Sequence, residues 1–254
     1  MEFPVERTAV VTGAASTRGI GRALASRLAA AGWAVAVLDL DSGACESLAA
    51  ELTTRHGVPA LGVAADVTDR ASVDAALRAV EAGLPPVVGL ANVAGIASPT
   101  PLLEETDEGW DRVLAVNLRG VFLVTQRVLA GMVERRLGRV VSVSSVSAQR
   151  GGGTYSKVAY SAAKAGVIGF TRALAREVGP SGVTVNCVAP GPVDTDIMGG
   201  ALDEERRAAL SRDTMLGRVG TVEDVAALMA FLLGPESGWI TAATYDVNGG
   251  LQVS

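Results

Sequence analysis

Tyr160 and Lys164 stand four positions apart in the run Tyr160-Ser-Ala-Ala-Lys164. On an α-helix that spacing brings a phenol and an ammonium group to one face. A phenol is a poor base near neutral pH, because its ordinary pKa is about 10. An adjacent cation favours the phenolate and brings proton exchange with an alcohol within reach. Upstream, Ser144-Ser145 closes a valine-rich run and offers hydroxyl donors to a developing oxyanion. A Tyr–Lys pair in an isolated helix often means nothing. Its weight comes from what the rest of the chain sets beside it.

Thr12–Gly21 reads Thr-Gly-Ala-Ala-Ser-Thr-Arg-Gly-Ile-Gly and lies between an apolar run and a helical pattern. Gly13, Gly19 and Gly21 suit a sharp turn, a close backbone approach and tight packing, with free helix N–H groups facing a pyrophosphate. A purely structural glycine turn is the alternative reading of this segment. Asp39 ends the second apolar run, 26 positions after Gly13. A carboxylate there accepts hydrogen bonds from the adenosine ribose and repels a 2′-phosphate, which favours NAD. Arg18 pulls towards NADP, because a guanidinium pairs with that phosphate. A strand end fixes the direction of Asp39 whereas Arg18 sits in a loop, so Asp39 carries more weight.

The elements that must position these groups follow from the apolar pattern. Short runs recur at Ala9–Val11, Ala34–Leu38, Ala60–Ala64, Val87–Ala91, Val140–Val143, Val183–Val188 and Thr244–Val247. Apolar runs without alternation suit strands covered on both faces, hence a parallel sheet. Helical patterns lie between them at Gly19–Ala31, Gly43–Arg55, Arg70–Ala82, Trp110–Arg136, Tyr160–Gly179 and Thr221–Leu233; the last opens on a capping-box spacing, Thr221 to Asp224. This alternation runs the whole length without a compositional break. It predicts one doubly wound α/β domain over residues 1–254 with a seven-stranded, mostly parallel sheet. The polar segment 191–215, with a short charged helix near Asp203–Arg212, reads as a substrate lid. Trp33, Trp110 and Trp239 read as packing residues.

Composition removes several function classes. The chain has 254 residues and a formal net charge of −5, which argues against an electrostatic nucleic-acid binder. No contiguous apolar run of about 18 residues is present to suggest a membrane span, and Val225–Leu233 reads as a buried helix. Met1–Arg7 carries two Glu and one Arg and does not resemble a secretory signal, so a cytoplasmic location is expected. Two cysteines and the single histidine, His56, leave no disulfide framework and no ligand set for a metal.

Taken in order, these motifs resemble the short-chain dehydrogenases/reductases, in their roughly 250-residue branch, over nearly the whole chain. Thr12–Gly21 resembles the family's glycine turn, Asp66-Val67 its adenine-contacting pair, and Asn92-Val-Ala-Gly95 its Asn-Asn-Ala-Gly strand end. Asn117 sits where the family has a helix asparagine; Ser145, Tyr160 and Lys164 match its catalytic serine and Tyr-x-x-x-Lys motif. Pro190-Gly191 with Thr195 matches the segment lining the nicotinamide, and Asp246–Gly250 the carboxyl-terminal turn. The resemblance implies a Rossmann-type fold and a cofactor site built from Gly13, Ser16, Arg18, Gly19, Ile20, Gly21, Asp39, Asp66, Val67, Asn92, Ala94, Gly95, Tyr160, Lys164, Pro190, Gly191, Val193 and Thr195. It implies that Tyr160 exchanges the hydroxyl proton while hydride moves to or from the nicotinamide. Lys164 would hold the ribose and depress the phenol pKa, Ser145 orient the carbonyl oxygen, and Asn117 seat a water in a relay to Lys164. It also implies a homotetramer built on the helices Trp110–Arg136 and Tyr160–Gly179.

The chain departs from that pattern in three places. Five residues separate Gly13 from Gly19, a longer turn than the family's usual one; Val93 replaces an asparagine; and 15 positions separate Ser145 from Tyr160, with extra residues in the glycine-rich stretch Arg150–Lys157. Ser147, Gln149, Arg150 and Tyr155 lie in or before that stretch and are expected to face the substrate. The expected activity is oxidoreduction of a secondary alcohol or ketone of a small molecule (a sugar, polyol or hydroxy acid) with NAD. The alternatives are an NADPH-dependent 3-oxoacyl-acyl-carrier-protein reductase and, from another class, a non-catalytic nucleotide sensor. The Tyr–Lys pair argues against the sensor.

Overall fold

In the computed structural model, described for residues 3–253, all seven expected runs are strands. Met1 and Glu2 of the opening segment, Ser254 and the side chain of Met198 lie outside the described residues. The strands are β1 (Thr8–Thr12), β2 (Ala34–Asp39), β3 (Ala60–Ala64), β4 (Val87–Asn92), β5 (Gly138–Val143), β6 (Val183–Pro190) and β7 (Thr244–Val247). They form one sheet in the order β3-β2-β1-β4-β5-β6-β7, parallel throughout. The helices are α1 (Ile20–Ala30), α2 (Ser42–His56), α3 (Arg70–Gly83), α4 (Asp107–Leu114), α5 (Gly120–Glu134), α6 (Ser147–Arg150), α7 (Val158–Val178), α8 (Glu204–Arg212) and α9 (Val222–Leu233).

The absence of alternation in the central runs has its cause in the two layers of helices. β1, β4, β5 and β6 are buried at every position. Successive side chains point to opposite faces, and each face has its own core. Val11, Val37 and Val141 pack with Leu28, Leu48 and Met229 from α1, α2 and α9. Val10, Leu38 and Val140 pack with Leu77, Leu123 and Leu174 from α3, α5 and α7. Helix ends follow their side chains: Asp41, Asp69, Thr106 and Asp203 cap α2, α3, α4 and α8, and Thr221 with Asp224 completes the capping box of α9.

Three expectations change. The pattern Trp110–Arg136 is not one uniform helix: a π-turn, Ala115–Arg119, joins α4 to α5. Counted together, Asp107–Glu134 is long and apolar enough by length and composition to cross a membrane. Its Val121, Leu123, Val124, Val128 and Met132 are buried, which makes it a core helix; interspersed Asn117, Arg119 and Gln126 conceal it from a search for unbroken apolar runs. Trp239 is 99% exposed, unlike Trp33, which packs edge-on against Phe3.

Candidate active site

β1 pairs with β2 on one side and β4 on the other, so the chain's winding direction reverses between β1 and β4. Open α/β sheets leave a crevice beyond their strand ends at such a point. The Thr12 hydroxyl braces it, accepting hydrogen bonds from the N–H groups of Val93 (3.0 Å) and Ala94 (3.2 Å). Gly13 turns away with φ +65°, and a Cβ there would sit 2.7 Å from Ala94 Cα; only glycine fits. Gly21 packs directly on the Gly13 carbonyl. α1 then starts at Gly19 with no side-chain cap and no acidic residue in its first turn, leaving N–H groups available to an anion. Asp39 closes this end. Its Oδ2 accepts from Ala15 N–H at 3.0 Å and its Oδ1 from Leu40 N–H at 2.8 Å, so the strand end and the glycine turn hold the carboxylate in place.

Beyond β5, Ser144 and Lys164 lock the sheet to α7. The Ser144 hydroxyl donates to the Lys164 carbonyl and Lys164 Nζ donates to the Val143 carbonyl, both at 2.8 Å. Lys164 is 2% exposed, and burial pulls its pKa from 10.5 down to about 8. Its ammonium lies 5.7 Å from the Tyr160 ring centroid. Burial pushes the Tyr160 phenol above its ordinary value, against the opposing effect of a hydrogen bond with Ser145. The phenol is thus shifted up where a depression was expected, because desolvation outweighs the neighbouring hydroxyl. The Ser145 Oγ accepts from Ser147 N–H at 3.1 Å, which leaves its own proton to donate.

Asn117 lies on the π-turn and is fully buried. Its Nδ2 donates to the carbonyls of Ile96 (3.0 Å) and Val113 (3.1 Å), and its Oδ1 accepts from Ile96 N–H at 3.3 Å. A π-turn leaves a carbonyl without its α-helical partner, and the Val113 carbonyl takes the side chain instead. Here Asn117 ties the widened helix to the strand-four loop.

The glycine turn, Asp39 and the group Ser145, Tyr160 and Lys164 border one cleft of about 1030 Å³ along the carboxyl edge of the sheet. Gly13, Ser16, Gly19, Ile20, Asp39, Asp66 and Val67 line one end; Ala94, Gly95, Pro190, Gly191, Val193 and Thr195 line the middle, and Ser145, Tyr160 and Lys164 the other end. A family model described as enoyl-(acyl carrier protein) reductase matches residues 13–252. An uncharacterized short-chain type dehydrogenase/reductase of Sinorhizobium fredii (strain NBRC 101917 / NGR234) is 43% identical over 248 residues, 97% of this chain and 98% of that protein. The 3-oxoacyl-acyl-carrier-protein reductase of Escherichia coli (strain K12) is 39% identical over 245 residues, 96% of this chain and 97% of that one. The chain belongs to the short-chain dehydrogenase/reductase family.

Members of the short-chain dehydrogenase/reductase family are nicotinamide-dependent oxidoreductases acting on CH–OH groups. In this member four expected site residues fall outside the cleft lining along with Asn117. Gly21 packs against the Gly13 carbonyl and Ala14. Asn92 points into the core, its Nδ2 donating to Thr125 Oγ1 (3.0 Å) and Ser142 Oγ (3.1 Å), because helix α5 and the neighbouring strand β5 each present a hydroxyl to it. Arg18 is drawn away by ion pairs to Asp194 and Asp196. Gln149 Nε2 donates to Asp246 Oδ1 at 2.7 Å, so it braces α6 against β7 outside the cleft lining. Ser147, Arg150 and Tyr155 do line the cleft. The longer loop before Tyr160 bulges at Gly151 and Gly152, with φ +87° and +100°, and is tied down by Lys157 N–H donating to the Ser98 carbonyl at 2.8 Å. Leu210 and Asp213, within the segment expected to form a lid, line the cleft, and so do Ile96, Arg112, Val116 and Leu251, which the motifs did not mark. The spacing of Arg112 and Val116 on one helical face was the only signal in the chain for that pair, and none pointed to Leu251.

Proposed function

We propose that this enzyme moves a hydride between NAD and a secondary alcohol or ketone of a small molecule, such as a sugar, polyol or hydroxy acid, with Tyr160 exchanging the hydroxyl proton. The observation that carries the reading is the meeting of Tyr160, Ser145 and buried Lys164 at one end of a cleft whose other end holds an uncapped helix start and the Asp39 carboxylate. The residues present suit a dinucleotide: free N–H groups for a pyrophosphate, a carboxylate for a ribose diol, and a buried cation near the reacting end. When bound, the nicotinamide supplies the hydride acceptor or donor.

The chain's own residues handle the oxygen and its proton. Tyr160, protonated in its buried setting, donates to the oxygen of a ketone undergoing reduction. Ser145 donates a hydrogen bond to the same oxygen as charge develops there. In the oxidative direction Tyr160 must accept the proton, and the Lys164 charge, still present at neutral pH, favours that phenolate. Asn117 positions the loop that borders Gly95, next to Lys164. Residues 191–215 act as the lid. The same reading takes the protein to be a cytoplasmic homotetramer, and light scattering in solution tests the assembly.

One set of observations favours a second reading. Several relatives near 39% identity are 3-oxoacyl-acyl-carrier-protein reductases, which supports an acyl-thioester substrate and NADPH. Asp39 opposes that cofactor. Initial rates with NAD(H) and NADP(H), on a panel of secondary alcohols, ketones and a 3-oxoacyl thioester, separate the two. Asp39→Ser is expected to raise NADP(H) usage at the expense of NAD(H); an enzyme that prefers NADPH with Asp39 intact would overturn the NAD assignment.

A further inference from the structure

The extended glycine turn does something that the cleft chemistry does not require. Arg18, the only cation between Thr12 and Gly21, pairs with Asp194 and reaches Asp196 at 3.6 Å. Ser16 Oγ donates to Asp196 Oδ2 at 2.8 Å. Asp194 also pairs with Arg207 of α8 and accepts from Leu202 N–H at 3.3 Å. One carboxylate thus joins the glycine turn, the segment after β6 and the lid helix. The segment is anchored at its base by Gly220 N–H donating to the Pro192 carbonyl at 3.0 Å. Ser16 and Asp196 both line the cleft while Arg18 does not, so their bond belongs to the cleft wall and the guanidinium lies outside it. Arg18 and Asp194 keep only 33% and 20% of their side-chain surface exposed, which shields their pairing from solvent better than an open surface pair.

We propose that Asp194 and Asp196 are positioning residues for cofactor selection: they clasp Arg18, draw the lid onto the glycine turn, and withhold from a 2′-phosphate the one cation the turn carries. The proposal rests on the dinucleotide reading of the cleft. It gives NAD preference two sources, repulsion by Asp39 and sequestration of Arg18. A bound pyrophosphate competes for Arg18 and repels Asp196, so binding and release of the dinucleotide are coupled to the clasp.

The test compares the parent protein with Asp194→Asn/Asp196→Asn, with Arg18→Gln, and with the triple variant. Fluorescence titration reads the affinities for NADH and NADPH. The acidic double variant is expected to bind NADPH about tenfold better relative to NADH, a change of the size expected for one freed charge-assisted contact. Arg18→Gln in that background is expected to cancel the gain. A merely structural loosening would weaken both nucleotides alike. In cofactor-free protein, hydrogen exchange of the amides between 194 and 212 is expected to quicken several-fold in the double variant, and high salt is expected to do the same to the parent. An unchanged NADPH-to-NADH ratio, a gain that survives loss of Arg18, or lid amides indifferent to both substitution and salt would overturn the clasp. A parent protein that binds neither nucleotide would overturn the cleft reading instead, while exchange of the lid amides still judges the clasp.

Discussion

Replacing Lys164 with methionine is expected to abolish efficient turnover and yet stabilise the fold. Lys164 is 2% exposed and pairs with no carboxylate among the described residues; its Nζ donates to a backbone carbonyl at 2.8 Å. Its pKa falls from 10.5 to about 8, and at about 1.4 kcal/mol per pH unit the buried ammonium costs about 3 kcal/mol at neutral pH. Methionine fills similar volume without charge but leaves the Val143 carbonyl without this donor, a loss of about 1 kcal/mol. The net gain near pH 7 is about 2 kcal/mol, or roughly 4–8 °C in Tm for a chain of this length. Above the unfolded pKa of 10.5 lysine is neutral in both states and the cost vanishes; as pH falls the charge is taken up first by the unfolded chain, and below about 8 the full cost is present. Thermal unfolding of both proteins from pH 6.5 to pH 10.5, followed by circular dichroism, should therefore show the variant's advantage shrinking as pH rises and reversing at about pH 10, where the remaining charge cost falls below the about 1 kcal/mol of the lost hydrogen bond. A variant less stable than the parent at neutral pH, or a Tm difference that ignores pH, would refute the reasoning.

The remaining expectations concern single groups. Tyr160→Phe removes the exchangeable proton, so turnover should fall by about 10²–10⁴ while NADH affinity, read by fluorescence, changes less than about twofold; an active variant would assign the proton to another group. Asn117→Ala strips partners from the Ile96 N–H and from the Ile96 and Val113 carbonyls in a fully buried position; at about 1 kcal/mol or more per group, denaturant unfolding should show a loss of about 3 kcal/mol. Gly13→Ala places a Cβ 2.7 Å from the Ala94 backbone at φ +65°, so the strand ends must part, and isothermal titration should show NADH binding weakened by more than about tenfold, with stability reduced by over about 1 kcal/mol.

What the amino-acid sequence determined by itself is what depends on local order. Unbroken apolar runs announced strands covered on both faces, Thr221 and Asp224 announced a helix start, and the interval from Tyr160 to Lys164 set a phenol and an ammonium on one helical face, because strand and helix periods are properties of the chain alone. The strand order was legible only in class, yet the carboxyl ends carrying Gly13, Asp39 and Ser145 do share one edge, since parallel strands bring equivalent ends together. Tertiary structure decided everything that turns on which partner a polar group finds. Asn92 turns inward because Thr125 and Ser142, 33 and 50 residues away, supply its acceptors, and Gln149 turns aside because Asp246 lies across the sheet edge. Arg18 leaves the cleft because two carboxylates about 180 positions later fold against it. The Tyr160 phenol rises because burial, a property of the whole packed domain, outweighs one neighbouring hydroxyl. Spacing along a chain sets the direction of a side chain; only the assembled fold sets its solvent exposure and the charges that surround it.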